Sequence, residues 1–415
     1  MIRKNYLNIF FSIILIFLLI FLIHSSLIGK IIWIGENLFG DLQIPINWLK
    51  CSYLGFDLYK ESIKSCPSFD GVSFAYGHIF LIIPFNNILE IFYINYLPYL
   101  IIITFVFSII LIINPKTKFE YIVVLLCIFN PSTLLLIERM NADIFIFLIS
   151  IFITFNRFYF LNWFIIYFAT FTKVYPIILG INILIENKNR TFKKYIFIIL
   201  FIIIVSLLYL FIYLDEYLFL LENLGATKAG YHYLFSLNTF PKLFKYIFHF
   251  NYILLILLFY LMFFLLTKFF YNKLKNIFSK IIIDIHCYKT KLFILGAYIS
   301  FICYVIFSNY FYREVFLILT LPYLLSLFNL HNNKLLKYLL NLIILKYLFL
   351  YIYSYINIHD GIIHIDGIRH FSSKFLLVIS IKGFIDFISM SFLGALLFLI
   401  TIGFFNEFKR TKLSN

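Results

Sequence analysis

The chain is a succession of long apolar runs set apart by short polar stretches, from IFFSIILIFLLIFLI near its start to SFLGALLFLITIGFF near its end. A helix that crosses a bilayer needs about 20 mostly apolar residues. Runs of that kind fall at roughly 7–28, 95–113, 120–138, 142–155, 195–213, 251–270, 291–309, 314–330, 335–356 and 376–404. A further stretch, 159–185, is broken by Lys173 and Pro176. It reads as two short helices packed as a hairpin, because proline interrupts the backbone ladder and lysine is expensive in lipid. The run HIFLIIPF is too short to cross and reads as an interfacial or re-entrant helix. The pattern predicts an all-α polytopic membrane protein with about 10–12 transmembrane helices, the broken helical hairpin among them. The first run is longer than a signal-peptide core and no small-residue cleavage site follows it, so it is expected to stay as a span.

Composition sharpens this. Of 415 residues 63% are hydrophobic and only 13% charged, against roughly 45–50% and 25% in soluble domains. That excludes a soluble enzyme and a disordered chain. The net charge of +15 invites a nucleic-acid reading, but the basic residues have a topological explanation. With the N-terminus inside, the cytoplasmic segments hold 20 of the 34 basic residues and four of the 19 acidic ones. This is the positive-inside pattern, and no nucleic-acid partner is expected. Both termini are then cytoplasmic, and the long outer segments are 29–94, 214–250 and 357–375. There is no internal repeat and no separate soluble domain. A motif-bearing module over 1–215, with its first outer loop at 29–94, gives way to a plainer transmembrane module over 216–415.

Familiar site motifs are missing. The sequence has no H-E-x-x-H, no C-x-x-C and no G-x-G-x-x-G, and GATKAG at 225–230 lacks the Lys-Ser/Thr that a phosphate loop requires. No metal site is expected. HDGIIHIDGIRH (359–370) is open to three readings: a solvated loop, a metal site of unfamiliar spacing, or Arg369 and His370 contacting an anionic headgroup. Cys51 and Cys66 share the first outer loop, where they form either a disulfide or two free thiols.

Ionisable residues at membrane depth or its margin are functional candidates, and four places stand out. They are Asp41 after the first span; Glu138, Arg139, Asn141 and Asp143 in ERMNAD; Lys173 and Tyr175 in TKVYP; and Arg313 with Glu314 in NYFYREVF. Each has a plainer reading as well. Glu138 and Arg139 can pair locally, and Asp143 can sit on a helix N-terminus. Lys173 can snorkel to headgroups, Asp41 can cap a helix, and Arg313 can face lipid phosphate without specificity.

ERMNADIFIFLI followed by ATFTKVYPIIL resembles the ERGN-x-D…K-x-YP pattern of GT-C superfamily integral-membrane glycosyltransferases. The branch it most resembles is that of the bacterial polyprenyl-phosphate-mannose-dependent mannosyltransferases. An acid soon after span one, W-x-x-C-x-x-x-G-x-D-x-Y (Trp48 to Tyr59), F-x-YG ending in Tyr76 and Gly77, and YREVFLILTLPYLL agree with it. Met140 stands where that pattern has glycine. The resemblance implies a GT-C-like architecture with its active site at the outer face of a bacterial plasma membrane. It implies transfer of a hexose, mannose-like, from a polyprenyl-phosphate donor to a glycan or lipid acceptor, with inversion and with no cofactor. Such chemistry needs a carboxylate to take the acceptor's proton, and Asp41 matches the usual base. It needs cations for the leaving phosphate: Lys173 and Arg313 first, Arg139 third. Glu138, Asn141, Asp143, Tyr175 and Tyr76 would contact sugar or acceptor, or support the rest. The alternative is a membrane transporter or a lipid or oligosaccharide flippase, although the internal repeats common in transporters are not visible.

Overall fold

A computed structural model describes residues 2–25, 27–32, 38–60, 64–69, 76–173, 175–182, 192–223, 234–278, 284, 287–306, 309–330, 334–359, 362–365 and 368–413. The protein is an all-α polytopic membrane protein. Among the described residues six helices are long and apolar enough to cross a membrane, or eight when two bent pairs are each taken as one span. Three shorter apolar helices, Asp143–Phe155, Tyr159–Thr172 and Ile203–Ile212, add to these. The described β-structure is confined to two antiparallel ribbons, Leu234–Phe235 with Asn309–Tyr310 and Ile362–Ile365 with Ile368–Phe371.

Up to the hairpin the helices are α1 (Ile2–His24), α2 (Gly40–Tyr53), α3 (Asn87–Asn95), α4 (Leu97–Ile113), α5 (Lys118–Phe129), α6 (Pro131–Arg139), α7 (Asp143–Phe155) and α8 (Tyr159–Thr172). The run expected as one span over 120–138 is bent by 45° between α5 and α6. The cause is local. Pro131 cannot donate to the preceding turn, and the Asn130 side chain turns back to the Leu126 and Cys127 carbonyls while accepting from the Thr133 amide. The expected hairpin is broken where the lysine falls: α8 ends at Thr172, Lys173 is extended, and a 3₁₀ turn over Tyr175–Leu179 packs back on α8. HIFLIIPF contains a single 3₁₀ turn, His78–Ile82.

The chain forms two compact units that interleave in sequence, one of residues 1–35, 103–138 and 229–415 and one of residues 36–102 and 139–228. In the first, the long helices Tyr252–Phe278, Tyr288–Ile306, Lys334–His359 and Ser373–Leu413 pack along one another. The run expected as a helical span over 314–330 begins there as a ten-residue 3₁₀ segment, Phe311–Thr320, and becomes α-helical at Leu321. That segment lies so close to Tyr288–Ile306 that a Cβ on Gly296 would fall 2.6 Å from the Leu319 Cβ and 2.7 Å from the Phe316 carbonyl oxygen. Only glycine permits this approach. In the second unit Cys51 and Cys66 are joined as a disulfide, with Cα atoms 5.9 Å apart. The bond ties α2 to the following loop around buried Trp48, Leu49, Leu58 and Phe80.

Candidate functional site

Six of the residues singled out in the sequence meet in the second unit, and helix ends decide where. Asp41 lies in the first turn of α2 and Asp143 is the first residue of α7. Arg139 is the last residue of α6, and Lys173 follows the last residue of α8. Carboxylates at helix N-termini and cations at C-termini each complement the helix dipole, by about 0.3–1 kcal/mol. Four helix ends thus bring two acids and two bases together with cancelling charges.

Their hydrogen bonds run as one line. Arg139 donates from Nε and Nη2 to Asp41 Oδ1, at 2.9 and 2.5 Å. Asn141 Nδ2 donates to Asp41 Oδ2 at 2.7 Å. The Asn141 Oδ1 accepts from the Asp143 amide at 3.1 Å and from Lys173 Nζ at 3.4 Å. Asp143 Oδ1 accepts from Lys173 Nζ at 2.8 Å and from the Tyr175 hydroxyl at 2.6 Å. Asn141 therefore touches both acidic centres and the lysine. Asp143 is fully buried, whereas the Asp41 and Lys173 side chains each keep 18% of their surface. The Lys173 ammonium also stands 5.9 Å above the centre of the Tyr76 ring.

Beside this line opens a cavity of about 260 Å³. Its walls are apolar, from α2, α7, α8 and the His78–Ile82 turn, and Asp41 and Lys173 are the charged residues lining it. A pocket with an apolar body and one polar end suits an amphiphilic ligand. The turn linking α6 to α7 is strained: Met140 adopts φ 50°, and Phe39, at the start of α2, adopts φ 61°. Strain of this kind, about 1–3 kcal/mol per residue, gathers at functional sites.

The remaining expectations fare as follows. Glu138 is fully buried and, with Arg313, belongs to the first unit. Arg139, expected to reach a phosphate, directs Nε and Nη2 at Asp41. The side chains of Arg369 and His370 lie outside the described residues, and only their backbone pairing in the second ribbon is defined. Among the described residues no group of three or more His, Cys, Asp or Glu is placed to hold a metal.

Sequence reading missed two groups, although it singled out one member, Glu314. In the first unit Glu314, Lys346, Lys382 and Asp386 form a buried quartet, with ion-pair distances of 2.7–3.3 Å and side chains at most 5% accessible. In the second unit His78 Nδ1 lies 3.1 and 3.2 Å from the Glu216 carboxylate oxygens, its ring stacked between Tyr59 and Tyr213. Burial pushes the Glu216 carboxyl above its usual range, against the pull of His78.

Compared with known proteins, the chain matches no family model and no curated protein sequence.

Proposed function

We propose that this protein is a membrane glycosyltransferase moving a hexose, mannose-like, from a polyprenyl-phosphate donor to a glycan or lipid acceptor. The observation that carries the reading is the cavity whose one charged end holds Asp41 and Lys173, bridged by Asn141. The donor's chain would lie along the apolar walls with its phosphate at the Lys173 ammonium. The acceptor hydroxyl would approach Asp41. A carboxylate offers about four lone-pair sites, of which Arg139 and Asn141 occupy three. The remaining one, on Oδ2, accepts the hydroxyl proton as that oxygen attacks the anomeric carbon. The C–O bond to phosphate breaks on the opposite face, so the configuration inverts. The phosphate leaves with its charge stabilised by Lys173. Arg139 holds the base in place, and Tyr175 and Asp143 hold the lysine. The reading puts this site at the outer face of a bacterial plasma membrane with both termini cytoplasmic, and it uses no metal or cofactor.

The test is incubation of the purified protein in lipid nanodiscs with polyprenyl-phosphate sugars and a membrane-glycan extract, followed by mass spectrometry. Donor consumption with a new glycosylated product is expected; intact donor across the whole panel would overturn the reading.

One observation favours transport instead. The Glu314–Lys346–Lys382–Asp386 quartet is buried within spanning segments, and intramembrane charges often mark substrate or proton pathways. Uptake or efflux by reconstituted vesicles without any covalent change in the solute would support that alternative.

A further inference from the structure

Met140 holds a backbone conformation that crowds any L side chain, and it does so against the cavity. It directly follows the last residue of α6, a position that helices commonly give to glycine, and its φ is 50°. Its neighbours Arg139 and Asn141 both donate to Asp41, so the turn is fixed on either side. The resulting side chain is fully buried and forms part of the wall that Asp41 and Lys173 also line. Glycine would satisfy the turn and leave that space open. Here a thioether fills it.

We propose that Met140 is a specificity-determining residue: it sets how much apolar bulk can enter beside the ligand's phosphate. This rests on the reading that Lys173 receives a lipid phosphate. The cavity of about 260 Å³ receives the end of a prenyl chain nearest the phosphate. The rest of a long chain stays in the bilayer. Truncating Met140 to Cβ removes three heavy atoms and opens space for more of that chain. An unbranched side chain with three rotatable bonds is well suited to closing an irregular wall of this kind.

The test compares binding of geranyl phosphate and farnesyl phosphate, with two and three isoprene units, by native mass spectrometry in nanodiscs. Met140→Ala and Met140→Gly should shift the farnesyl-to-geranyl affinity ratio upward by about tenfold, as expected for burying about two more methylenes. Met140→Leu, which conserves volume, should leave the ratio within about twofold. The glycine variant suits the left-handed turn, so a folding defect confined to alanine leaves the comparison intact. A ratio unchanged in both variants, with wild-type binding intact and lost on Lys173→Met/Asp143→Asn, overturns the Met140 assignment alone. Failure of the wild-type protein to bind either lipid overturns the phosphate reading and this inference together.

Discussion

Asp143 and Lys173 lie 30 positions apart in the chain and meet at 2.8 Å, with the aspartate fully buried and the lysine at the cavity edge. The lysine therefore has a structural task whatever ligand it meets. Removing it takes away a counter-charge 2.8 Å from a buried carboxylate, a loss of about 3–5 kcal/mol. Lys173→Met should accordingly lower the thermal midpoint in detergent sharply, and Lys173→Met/Asp143→Asn should recover most of it. Both variants should fail to bind lipid phosphate. Full stability in the single variant would mean that the pair is not the buried contact described here.

The pieces of this site were legible because an ionisable residue in a chain with 13% charge stands out. Which residue meets which was not. Arg139 reads as a phosphate ligand until its partner Asp41, 98 positions away, is known. The Asn130–Pro131 break was visible in principle, since asparagine followed by proline is a helix-start signal. It was overridden by the continuous apolar run over 120–138. The 3₁₀ form of Phe311–Thr320 leaves no trace in composition, because its residues would suit an α-helical span equally well. It is associated with a close packing contact at Gly296, which no local pattern encodes. Lys346, Lys382 and Asp386 did carry a signal: all three fall inside expected spans, and Lys382 and Asp386 are spaced i,i+4 on one helix face. Their partner Glu314 lies 68 positions before Lys382, beyond any pattern of spacing.

The quartet should behave as one unit. Each lysine contacts both carboxylates, and the four formal charges cancel. Lys346→Met should destabilise by about 3–5 kcal/mol, because it leaves an unbalanced buried charge. Adding Glu314→Gln restores neutrality around the remaining Lys382–Asp386 pair, so the double variant should lose far less than the two single losses added together. Thermal unfolding of the four proteins of this cycle decides it; simple additivity would show that the charges act independently.

Glu216 gives the protein a pH dependence of known sign. Its carboxyl lies above the usual range because it is partly buried. A raised acid favours the folded state while protonated, and that contribution fades as pH climbs from the unfolded value through the folded one. Glu216→Gln stays neutral throughout. The thermal midpoint of the variant relative to wild type should therefore rise as pH climbs above the ordinary glutamate range, about 4. A constant difference above that range would mean that His78 fully offsets the burial.

Asp41 bears the heaviest chemical demand in the proposed reaction, and its contacts determine how to test it. Both oxygens accept hydrogen bonds, Oδ1 from Arg139 and Oδ2 from Asn141. In Asp41→Asn the amide oxygen can still face Arg139, but the amide nitrogen then confronts the Asn141 Nδ2 donor. Rotation of the Asn141 amide would relieve that clash and would turn its oxygen away from Lys173 and the Asp143 amide. The substitution should therefore destabilise by about 1–3 kcal/mol as well as remove the base. Asp41→Asn/Asn141→Asp moves the carboxylate across the contact and restores a donor–acceptor pair, so stability should return while the base stays displaced. If Asp41 takes the acceptor's proton, both variants should turn over about 10²–10⁴-fold more slowly, and the double variant should still bind lipid phosphate. Rates need to be read at equal folded fraction, from donor consumption by mass spectrometry. Recovery of turnover in the double variant along with stability would show that Asp41 only holds Arg139 and Asn141 in place, and would move the role of base to another group.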